Sequence, residues 1–353
     1  MHVVFDAFAV KPGSAAITLD NLLRGWLQLD NGDRLTVLAM PDHELPLPAG
    51  VAVETASAPM KGSAGTIWLR SFGVRRACRR LKADALVSVV TASAFAGAPC
   101  PRGAIVYDMR HELRPSQFSR QRRVARRVSY GFTFRTTGAL FSISNRTRDD
   151  IVRNRPRLAS KVVVARYGAD HVDAWPAPTA TSARYALAFG QFANKNVDKV
   201  IDAWAEFCRA DSDLNLRLVG MSRADREAIT ERLADLGIAD RVDLAPWLDD
   251  DAFRDVFVGA SLIVFPSDFE GFGLPAVEAM RLRIPLVVST DAALAEVTGG
   301  HATIALELSP RALSEAFTRA LNSNADELAA AYDYTEQFKW RHMAQAIRGY
   351  FAR

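Results

Sequence analysis

Two carboxylates in the second half of the chain have a spacing that could serve group-transfer chemistry. Glu270 and Glu278 are separated by seven residues, and two glycines, Gly271 and Gly273, lie between them. Glu270 precedes a predicted helix and Glu278 lies about one turn inside it, so both side chains could face one crevice. In a plainer alternative, Glu270 is a solvated loop acid and Glu278 is a helix-surface acid favoured by the helix dipole.

The elements around these acids can be predicted from the local sequence. Residues 262–265 form a short apolar run that predicts a strand covered on both faces, and Pro266 ends it. The glycines allow a tight turn, and Pro275 suits the first turn of a helix. A helix N-terminus that opens at the carboxyl end of a parallel strand favours an anion such as a phosphate.

The segment from Pro266 to Met280 reads Pro-Ser-x-x-Glu-Gly-Phe-Gly-Leu-Pro-x-x-Glu-Ala-Met. It resembles the donor-binding signature of retaining glycosyltransferases of family 4, in glycosyl transferases group 1. The resemblance implies an α/β fold of the GT-B class, with two facing Rossmann-like domains and a C-terminal helix that crosses back to the first. It implies that Glu270 contacts the transferred sugar and that Glu278 holds the nucleotide ribose. The donor contacts implied within the signature turn are Gly271, Phe272, Gly273 and Leu274.

A second turn, at residues 190–196, resembles the family's diphosphate-binding turn. Lys195 and Asn196 match the family pattern, and Lys195 is expected to neutralise phosphate charge. Gln191 follows Gly190 and stands where the family has an arginine. Arg223 is the candidate for the compensating cation.

Residues 242–247 resemble the segment whose backbone reads the nucleotide base, and Trp247 is expected to stack near that base. Residues 249–251 are three aspartates that superficially offer the Asp-x-Asp pattern of metal-dependent glycosyltransferases. Their place before residues 252–254 instead predicts a helix cap. The expectation is therefore no metal and no cofactor, with a GDP-, UDP- or dTDP-sugar as substrate.

In the first half, the resemblance is thinner. Gly13 follows the first predicted strand and is a candidate phosphate contact, although a plain connecting turn explains it equally well. Where the family usually has a His-Asp pair, this chain has Tyr107 and Asp108, with His111 further on. We expect Asp108 or His111 to reach the site from a loop. The alternative is a structural histidine that pairs with Glu112.

The charge of the chain is unevenly distributed. The net charge of +4 combines a first part, residues 1–172, with 26 Lys and Arg against 13 Asp and Glu, and a remainder with 18 against 27. A predicted amphipathic helix concentrates the basic residues Arg120, Arg122, Arg123, Arg126 and Arg127. This basic patch could dock on an anionic membrane surface or bind an anionic acceptor, or it could be a solvated face. No recognition module for nucleic acid accompanies the charge.

Length and composition predict a two-domain globular protein. The chain has 353 residues, 49% of them apolar and 24% charged. No run approaches the roughly 20 apolar residues of a membrane span, and the beginning of the chain lacks a signal-peptide pattern. Three widely spaced cysteines predict reduced thiols. We expect a cytoplasmic protein, with peripheral attachment to the inner face of the plasma membrane as an open alternative.

The predicted domains follow from composition and resemblance. They are an N-terminal acceptor-side domain at 1–174, a Pro/Ser/Thr/Ala linker at 175–183, a nucleotide-sugar-binding domain at 184–333 and a crossover helix at 334–353.

The function expected is that of a retaining, metal-independent, hexosyltransferase-type enzyme that uses a nucleotide-diphosphate sugar. Its acceptor is a hydroxyl of a glycan, a glycolipid or a metabolite, with assembly of bacterial envelope polysaccharide or glycolipid favoured. One alternative is a catalytically silent subunit that binds nucleotide, which Gln191 and Tyr107 motivate. Another is a nicotinamide-dependent dehydrogenase, although no Gly-x-Gly-x-x-Gly follows the first strand. The identities of the sugar, the base and the acceptor remain open.

Overall fold

The computed structural model of the protein describes residues 1–11, 13–175, 184–191, 193–209 and 213–353. They form two compact units. The first unit contains Met1–Gly168 and Phe338–Arg353, and the second contains Ala169–Gln337.

The first unit is built on a sheet of seven parallel strands. In chain order these are β1 (His2–Asp6), β2 (Arg34–Ala39), β3 (Ala52–Thr55), β4 (Ala85–Ser88), β5 (Arg102–Val106), β6 (Ala139–Ser142) and β7 (Val162–Val164). Their order in the sheet is β3-β2-β1-β4-β5-β6-β7. Every residue of β1, β4, β5 and β6 is buried, as expected of parallel strands that are covered on both faces.

Helices of this unit lie between consecutive strands, except between β2 and β3 and between β4 and β5. They are α1 (Ser14–Leu27), α2 (Gly62–Trp68), α3 (Val74–Leu81), α4 (Arg110–Leu113), α5 (Arg120–Thr136) and α6 (Asn145–Asn154). One π-helical segment, Leu69–Gly73, joins α2 to α3. The sequence predicts a single helix from residue 68 to 81, and the structure instead starts the helical segment at Gly62.

The second unit repeats this plan with six parallel strands. They are β8 (Tyr185–Phe189), β9 (Asn215–Val219), β10 (Val242–Leu244), β11 (Leu262–Phe265), β12 (Leu286–Val288) and β13 (Thr303–Ile304). Their order in the sheet is β10-β9-β8-β11-β12-β13. The helices are α7 (Val197–Cys208), α8 (Arg223–Asp235), α9 (Asp250–Val258), α10 (Leu274–Arg281), α11 (Ala292–Thr298), α12 (Pro310–Leu321) and α13 (Ala325–Thr335).

The last helix, α14 (Trp340–Phe351), returns to the first unit and packs against α1. The approach is close at Gly25, where a Cβ atom would lie 2.5 Å from the backbone carbon of Trp340. Asp33 links the two helices, because its Oδ2 accepts hydrogen bonds from Trp26 Nε1 at 3.0 Å and Arg348 Nε at 2.8 Å. A glycine and one buried carboxylate thus fix the terminal helix.

The unit boundaries differ from the predicted ones. The predicted first domain extends to residue 174, whereas residues 169–174 belong to the second unit. The cause is a short 3-10 helix, Asp170–Ala174, which is held on α10 by an ion pair between Asp173 and Arg281. The return to the first unit begins at Phe338 rather than residue 334. Most of the predicted linker, residues 176–183, lies outside the described residues.

Both sheets have the strand order of a doubly wound α/β fold. The order reverses between β1 and β4 in the first unit and between β8 and β11 in the second. The loops that leave such a pair at their carboxyl ends diverge, and ligands of open α/β sheets bind in the resulting crevice. Each unit therefore has one preferred place for a ligand.

Candidate functional site

An ion pair occupies the carboxyl ends of β8 and β11 in the second unit. The Nζ atom of Lys195 lies 2.6 Å from Oε1 of Glu270, and their side chains are 9% and 15% exposed. The ammonium group also lies 4.0 Å from the centroid of the Phe265 ring. The structure thus brings together the predicted cation and the first predicted carboxylate. The Phe265 ring restricts the direction in which Lys195 can point.

Two further side chains hold Glu270 in place. Ser267 Oγ donates to Glu270 Oε1 at 2.5 Å, and Asn194 Nδ2 lies 3.1 Å from the same oxygen. Asn194 Nδ2 also donates to the Phe269 carbonyl at 2.9 Å. The carboxylate is therefore fixed by several donors in a largely buried setting, which is the preorganisation that catalysis of charged reactions requires.

The start of α10 has the geometry that the signature predicts. Gly273 adopts φ 93° and ψ 50°, a left-handed conformation that favours glycine, and Leu274 is the first helical residue. A Cβ atom at Gly273 would lie 2.5 Å from Leu294 Cδ2. Phe272 is buried, and Gly271 is partly buried beside it. The backbone thus enters the helix in a form suited to anion binding.

The second predicted carboxylate, Glu278, is buried in α10 with 4% of its surface exposed. Its Oε1 lies 3.0 Å from Nε2 of His171, which belongs to the 3-10 helix before the second unit's sheet. One turn further along α10, Arg281 contacts Asp173 and Glu336. Burial would lower the pKa of Arg281, but its hydrogen bonds to both acids outweigh burial and raise the pKa. The 3-10 helix is therefore fastened to α10 beside Glu278.

The turn after β8 is shaped by close backbone contacts. A Cβ atom at Gly190 would lie 2.4 Å from Met221 Cγ, so a larger residue there would require the Met221 side chain to move. Gln191 is exposed and its side chain lies beside Gly220. Asn196 adopts φ 54° at the start of α7, and its Nδ2 donates to the Pro266 carbonyl at 2.8 Å. Asn196 thus connects the two loops that carry Lys195 and Glu270.

Two predicted donor contacts lie at the margin of this site. Trp247 is 59% exposed in the loop after β10, and the neighbouring Pro246 carbonyl accepts a hydrogen bond from Gly220 N at 3.1 Å. Arg223 is the first residue of α8, its side chain is 87% exposed, and it pairs with Glu227 at 2.7 Å. Both side chains of this pair are largely exposed, and an exposed ion pair of this kind fixes a side chain only weakly. The role of Arg223 as the compensating cation therefore stays a prediction.

Of the three aspartates at residues 249–251, Asp249 caps α9 and the other two lie in its first turn. Asp249 accepts a hydrogen bond from Ala252 N at 2.9 Å, as predicted. Among the described residues, no group of three His, Cys, Asp or Glu side chains is arranged to hold a metal ion.

In the first unit, Gly13 and Asp108 lie at the carboxyl edge of the sheet. Gly13 precedes α1 with φ 112° and would have open space around a Cβ atom. Asp108 follows β5, and its Oδ1 accepts from Arg110 N at 2.8 Å. Asp108 also lines a cavity of about 990 Å³. Tyr107 lies beside it, with its hydroxyl donating to the Val89 carbonyl at 2.9 Å.

His111 has a different environment from the one expected. It lies in α4, is 2% exposed and contacts the Tyr130 ring edge-to-face at 4.7 Å between centroids. Its Nε2 lies 3.7 Å from Glu112 Oε1. Burial lowers the pKa of His111, against the opposing effect of Glu112. His111 lines a separate cavity of about 430 Å³ with Glu112 and arginines of α5, whereas Asp108 lines the 990 Å³ cavity, so the two candidates face different cavities.

The predicted basic helix exists as α5, which Ser119 caps through Arg122 N. Its exposed arginines include the whole predicted patch, namely Arg120, Arg122, Arg123, Arg126 and Arg127. Val124, Val128 and Phe132 follow one another at four-residue spacing, and they are 61%, 67% and 41% exposed. The helix thus presents an apolar stripe among its arginines. Among the described residues, no helix combines the length and the apolar character that a membrane span needs.

Several residues of the site were missed by sequence reasoning. Ser267 and Asn194 adjoin predicted residues, so their neighbours in the motifs were an available signal. No local sequence signal indicated His171, because it contacts Glu278, which lies 107 positions away in the sequence.

Comparisons with known proteins point to one family. Residues 175–337 match the model described as "Glycosyl transferases group 1". The chain is 30% identical over 197 residues to the MMP alpha-(1->4)-mannosyltransferase of Mycolicibacterium hassiacum, covering 55% of this chain and 45% of that protein. It is 32% identical over 108 residues to the O-antigen chain mannosyltransferase B of Escherichia coli, covering 30% and 28%. The matches thus span less than half the length of these curated relatives.

The fold has close counterparts among solved structures. Anabaena HepE, crystallised in complex with UDP and glucose, superimposes with a TM-score of 0.76 at 18% identity, covering 100% of this chain and 99% of that one. At this identity the likeness demonstrates the fold, which is that of GT-B glycosyltransferases.

Proposed function

We propose that the chain is a retaining, metal-independent glycosyltransferase of family 4, and the match of residues 175–337 to the model of glycosyl transferases group 1 supports this proposal. The second unit would bind a nucleotide-diphosphate sugar, and the first would bind the acceptor. The observation that carries the proposal is the buried contact between Lys195 and Glu270 at the carboxyl ends of β8 and β11. A nucleotide-sugar donor also agrees with the UDP found in HepE.

The proposed chemistry separates positive and negative charge. When the diphosphate leaves, the sugar becomes oxocarbenium-like and the phosphate gains charge. The ammonium group of Lys195 carries three N–H donors, of which Glu270 takes one, so the group can also donate to phosphate oxygens. The free N–H groups at the start of α10 supply further stabilisation of the leaving group.

Glu270 and Glu278 have separate parts in this proposal. Glu270, fixed by Ser267 and Asn194, would contact the transferred sugar. Glu278, held by His171, would accept hydrogen bonds from ribose hydroxyls. Retention would follow if the acceptor attacks from the face that the phosphate leaves, with a phosphate oxygen taking the hydroxyl proton.

The acceptor side is proposed on α5. Its arginines and apolar stripe suit an anionic bilayer, so the protein would attach peripherally to the inner face of the plasma membrane. Assembly of envelope polysaccharide or glycolipid would fit the O-antigen mannosyltransferase among the relatives. Sedimentation with vesicles that contain phosphatidylglycerol, but not with phosphatidylcholine vesicles, is the expected result.

The direct test of the reaction is release of nucleoside diphosphate. The protein is incubated in EDTA with UDP-, GDP-, dTDP- and ADP-sugars, and one nucleotide class is expected to be released. Glu270→Gln should slow this release, whereas Glu231→Gln, on the exposed surface of α8, should not. Nucleotide binding without any release would support the silent-subunit alternative. Loss of release in EDTA would refute metal independence.

A further inference from the structure

The 990 Å³ cavity of the first unit has two chemically different walls. Its polar wall lies at the carboxyl edge of the sheet and includes Ser14, Thr91 and Asp108. Its apolar wall comes from the α2 helix, the loop after β4 and α5, and it includes Ile67, Phe95, Val128 and Phe132. The volume is in the range of sites that enclose small organic ligands. A ligand that fills this cavity would meet hydroxyl-binding groups at one end and hydrocarbon at the other.

Arg70 enters the cavity from the π-helical segment that joins α2 and α3. The backbone carbonyl of Arg70 accepts a hydrogen bond from Phe95 N at 3.1 Å. The guanidinium carbon of Arg70 lies 5.4 Å from the centroid of the Phe95 ring. Its Nε atom is buried and has no hydrogen-bond partner among the described residues. Arg70 lines the cavity, so its guanidinium group is placed to meet an anion there, and π-helical segments often occur at functional sites.

The charges that face the cavity favour an anion. Arg70, Arg126 and Asp108 are the charged residues that line it. Asp108 already accepts from Arg110 N. Asp6, which interacts electrostatically with Arg70, is fully buried, and burial raises its pKa to about 6. At neutral pH Asp6 is largely ionised behind Arg70 but does not line the cavity, whose charged lining consists of two guanidinium groups and one carboxylate.

The apolar wall continues onto the surface. Ile67 is 56% exposed on the α2 side of the cavity, and Val128 and Phe132 are exposed on the α5 side. The Phe132 ring contacts Phe95 edge-to-face at 5.9 Å between centroids. Hydrocarbon leaving the cavity would therefore meet apolar side chains on both sides of its mouth.

We propose that this cavity binds the acceptor as an amphiphile, with an anionic, hydroxyl-bearing head beside Arg70 and an apolar chain that leaves between Ile67 and Val128. The inference rests on the proposed glycosyl transfer, because a hydroxyl of that head would receive the sugar. It commits the acceptor to one chemical class among those that the sequence leaves open.

The test is calorimetric titration of the full chain without nucleotide. The probes are octyl phosphate below its micellar concentration, octyltrimethylammonium and inorganic phosphate. Octyl phosphate should bind at least about tenfold more tightly than either of the others, because only it pairs a charge-assisted contact with apolar burial. Equally tight binding of octyltrimethylammonium would refute the preference for an anionic head group. Equally tight binding of inorganic phosphate would refute the contribution of an apolar chain.

Matched variants test whether octyl phosphate binds in the cavity. Arg70→Gln should weaken octyl phosphate binding about tenfold or more through loss of a charged hydrogen bond, whereas Arg76→Gln, exposed on α3, should change it by less than about twofold. Val128→Gln should weaken binding about threefold, and Val124→Gln, one turn away and outside this cavity, should not. Equal effects within either pair would mean surface adsorption and would overturn the proposal.

Nucleotide titrations of the same samples separate this inference from the proposed function. If nucleotides bind and octyl phosphate does not, the amphiphile site is refuted and the transferase proposal stands. If octyl phosphate binds with the expected variant pattern and no nucleotide does, the transferase proposal is refuted and the amphiphile site is upheld.

Discussion

The two units have the same strand order but place different chemistry where that order reverses. In the second unit, Lys195 and Glu270 approach each other from the loops after β8 and β11. In the first unit, a buried hydrogen-bond network occupies the equivalent position. Asp6, the last residue of β1, is fully buried and accepts a hydrogen bond from Ser93 in the loop after β4, and Arg102 Nη2 donates to the Ser93 carbonyl at 2.6 Å.

The two units thus share a strand order that creates a crevice where the order reverses, but the side chains at that point determine what the crevice can bind. In the second unit, the charged groups form a small, partly accessible cluster that can bind a charged ligand. The first unit uses its charges to fix the loop after β4, and its cavity lies beside that network with a largely apolar wall. We therefore expect the two units to respond differently to loss of a charge.

The largest effect is expected at Lys195. Lys195→Met should lower the rate of nucleoside diphosphate release by about 10²–10³-fold, because the leaving charge loses its buried cation. Ser267 and Asn194 still hold Glu270, so circular dichroism should report an intact fold. Lys199→Met, exposed on α7, is the control and should retain full activity. An unaffected rate in Lys195→Met would remove the cluster from the reaction.

In the first unit, removal of the Asp6 carboxylate should change the free energy of unfolding and its dependence on pH. Burial raises the pKa of Asp6 to about 6 from 3.8, so the folded state binds a proton more tightly than the unfolded state. The stability that this provides is fully present below the unfolded pKa and is lost as the pH rises through about 6, by up to about 3 kcal/mol.

Thermal unfolding of the wild type and Asp6→Asn from pH 4 to pH 8 checks this assignment. The amide does not titrate, so the variant should lack this part of the decline in stability with rising pH. Asp42→Asn, at an exposed position, should keep the wild-type profile. Parallel profiles for wild type and Asp6→Asn would show that Asp6 is not the titrating group.

The start of α10 should be sensitive to a single methyl group. Gly273→Ala should destabilise the protein by about 1–3 kcal/mol, since alanine is strained at a left-handed φ. The added Cβ would also meet Leu294. Gly300→Ala is the matched control, because Gly300 has φ 85° but open space. Urea unfolding should give the larger loss for Gly273→Ala; an equal loss would mean that the contact with Leu294 relaxes freely.

The smallest effect is expected at His171, which touches Glu278 rather than the proposed ligand. His171→Phe keeps a ring beside Trp175 but removes the hydrogen bond, and it should weaken nucleotide binding by about 0.5–1.5 kcal/mol. His171→Gln can donate to Glu278 and should restore part of the affinity. If both variants bind like the wild type, His171 does not position Glu278.

Much of the second unit's site could be predicted from local sequence. The apolar run at residues 262–265 is the strand β11, and the glycine turn leads into the helix that begins at Leu274, with Pro275 in its first turn. These features depend on backbone preferences of adjacent residues. Lys195 could be predicted because it matches the diphosphate-binding turn of the family that the chain resembles.

The remaining features depend on contacts between distant residues. Asp173 and Arg281 lie 108 positions apart, and their pairing moves residues 169–174 into the second unit. The burial of His111 follows from packing against Tyr130, which the sequence around either residue does not reveal. Arg70 reaches the cavity through a π-helical segment, and the helical pattern of residues 68–81 gave no sign of that segment.

The most direct test of the central claim is calorimetric titration of UDP, GDP, dTDP and ADP into the wild type, Glu278→Gln and the exposed control Glu231→Gln. The account predicts micromolar binding of one nucleotide to the wild type and the control, and a loss of about 1–3 kcal/mol in Glu278→Gln through the buried ribose contact. Absence of binding by all four nucleotides, or equal affinity in Glu278→Gln, would contradict it.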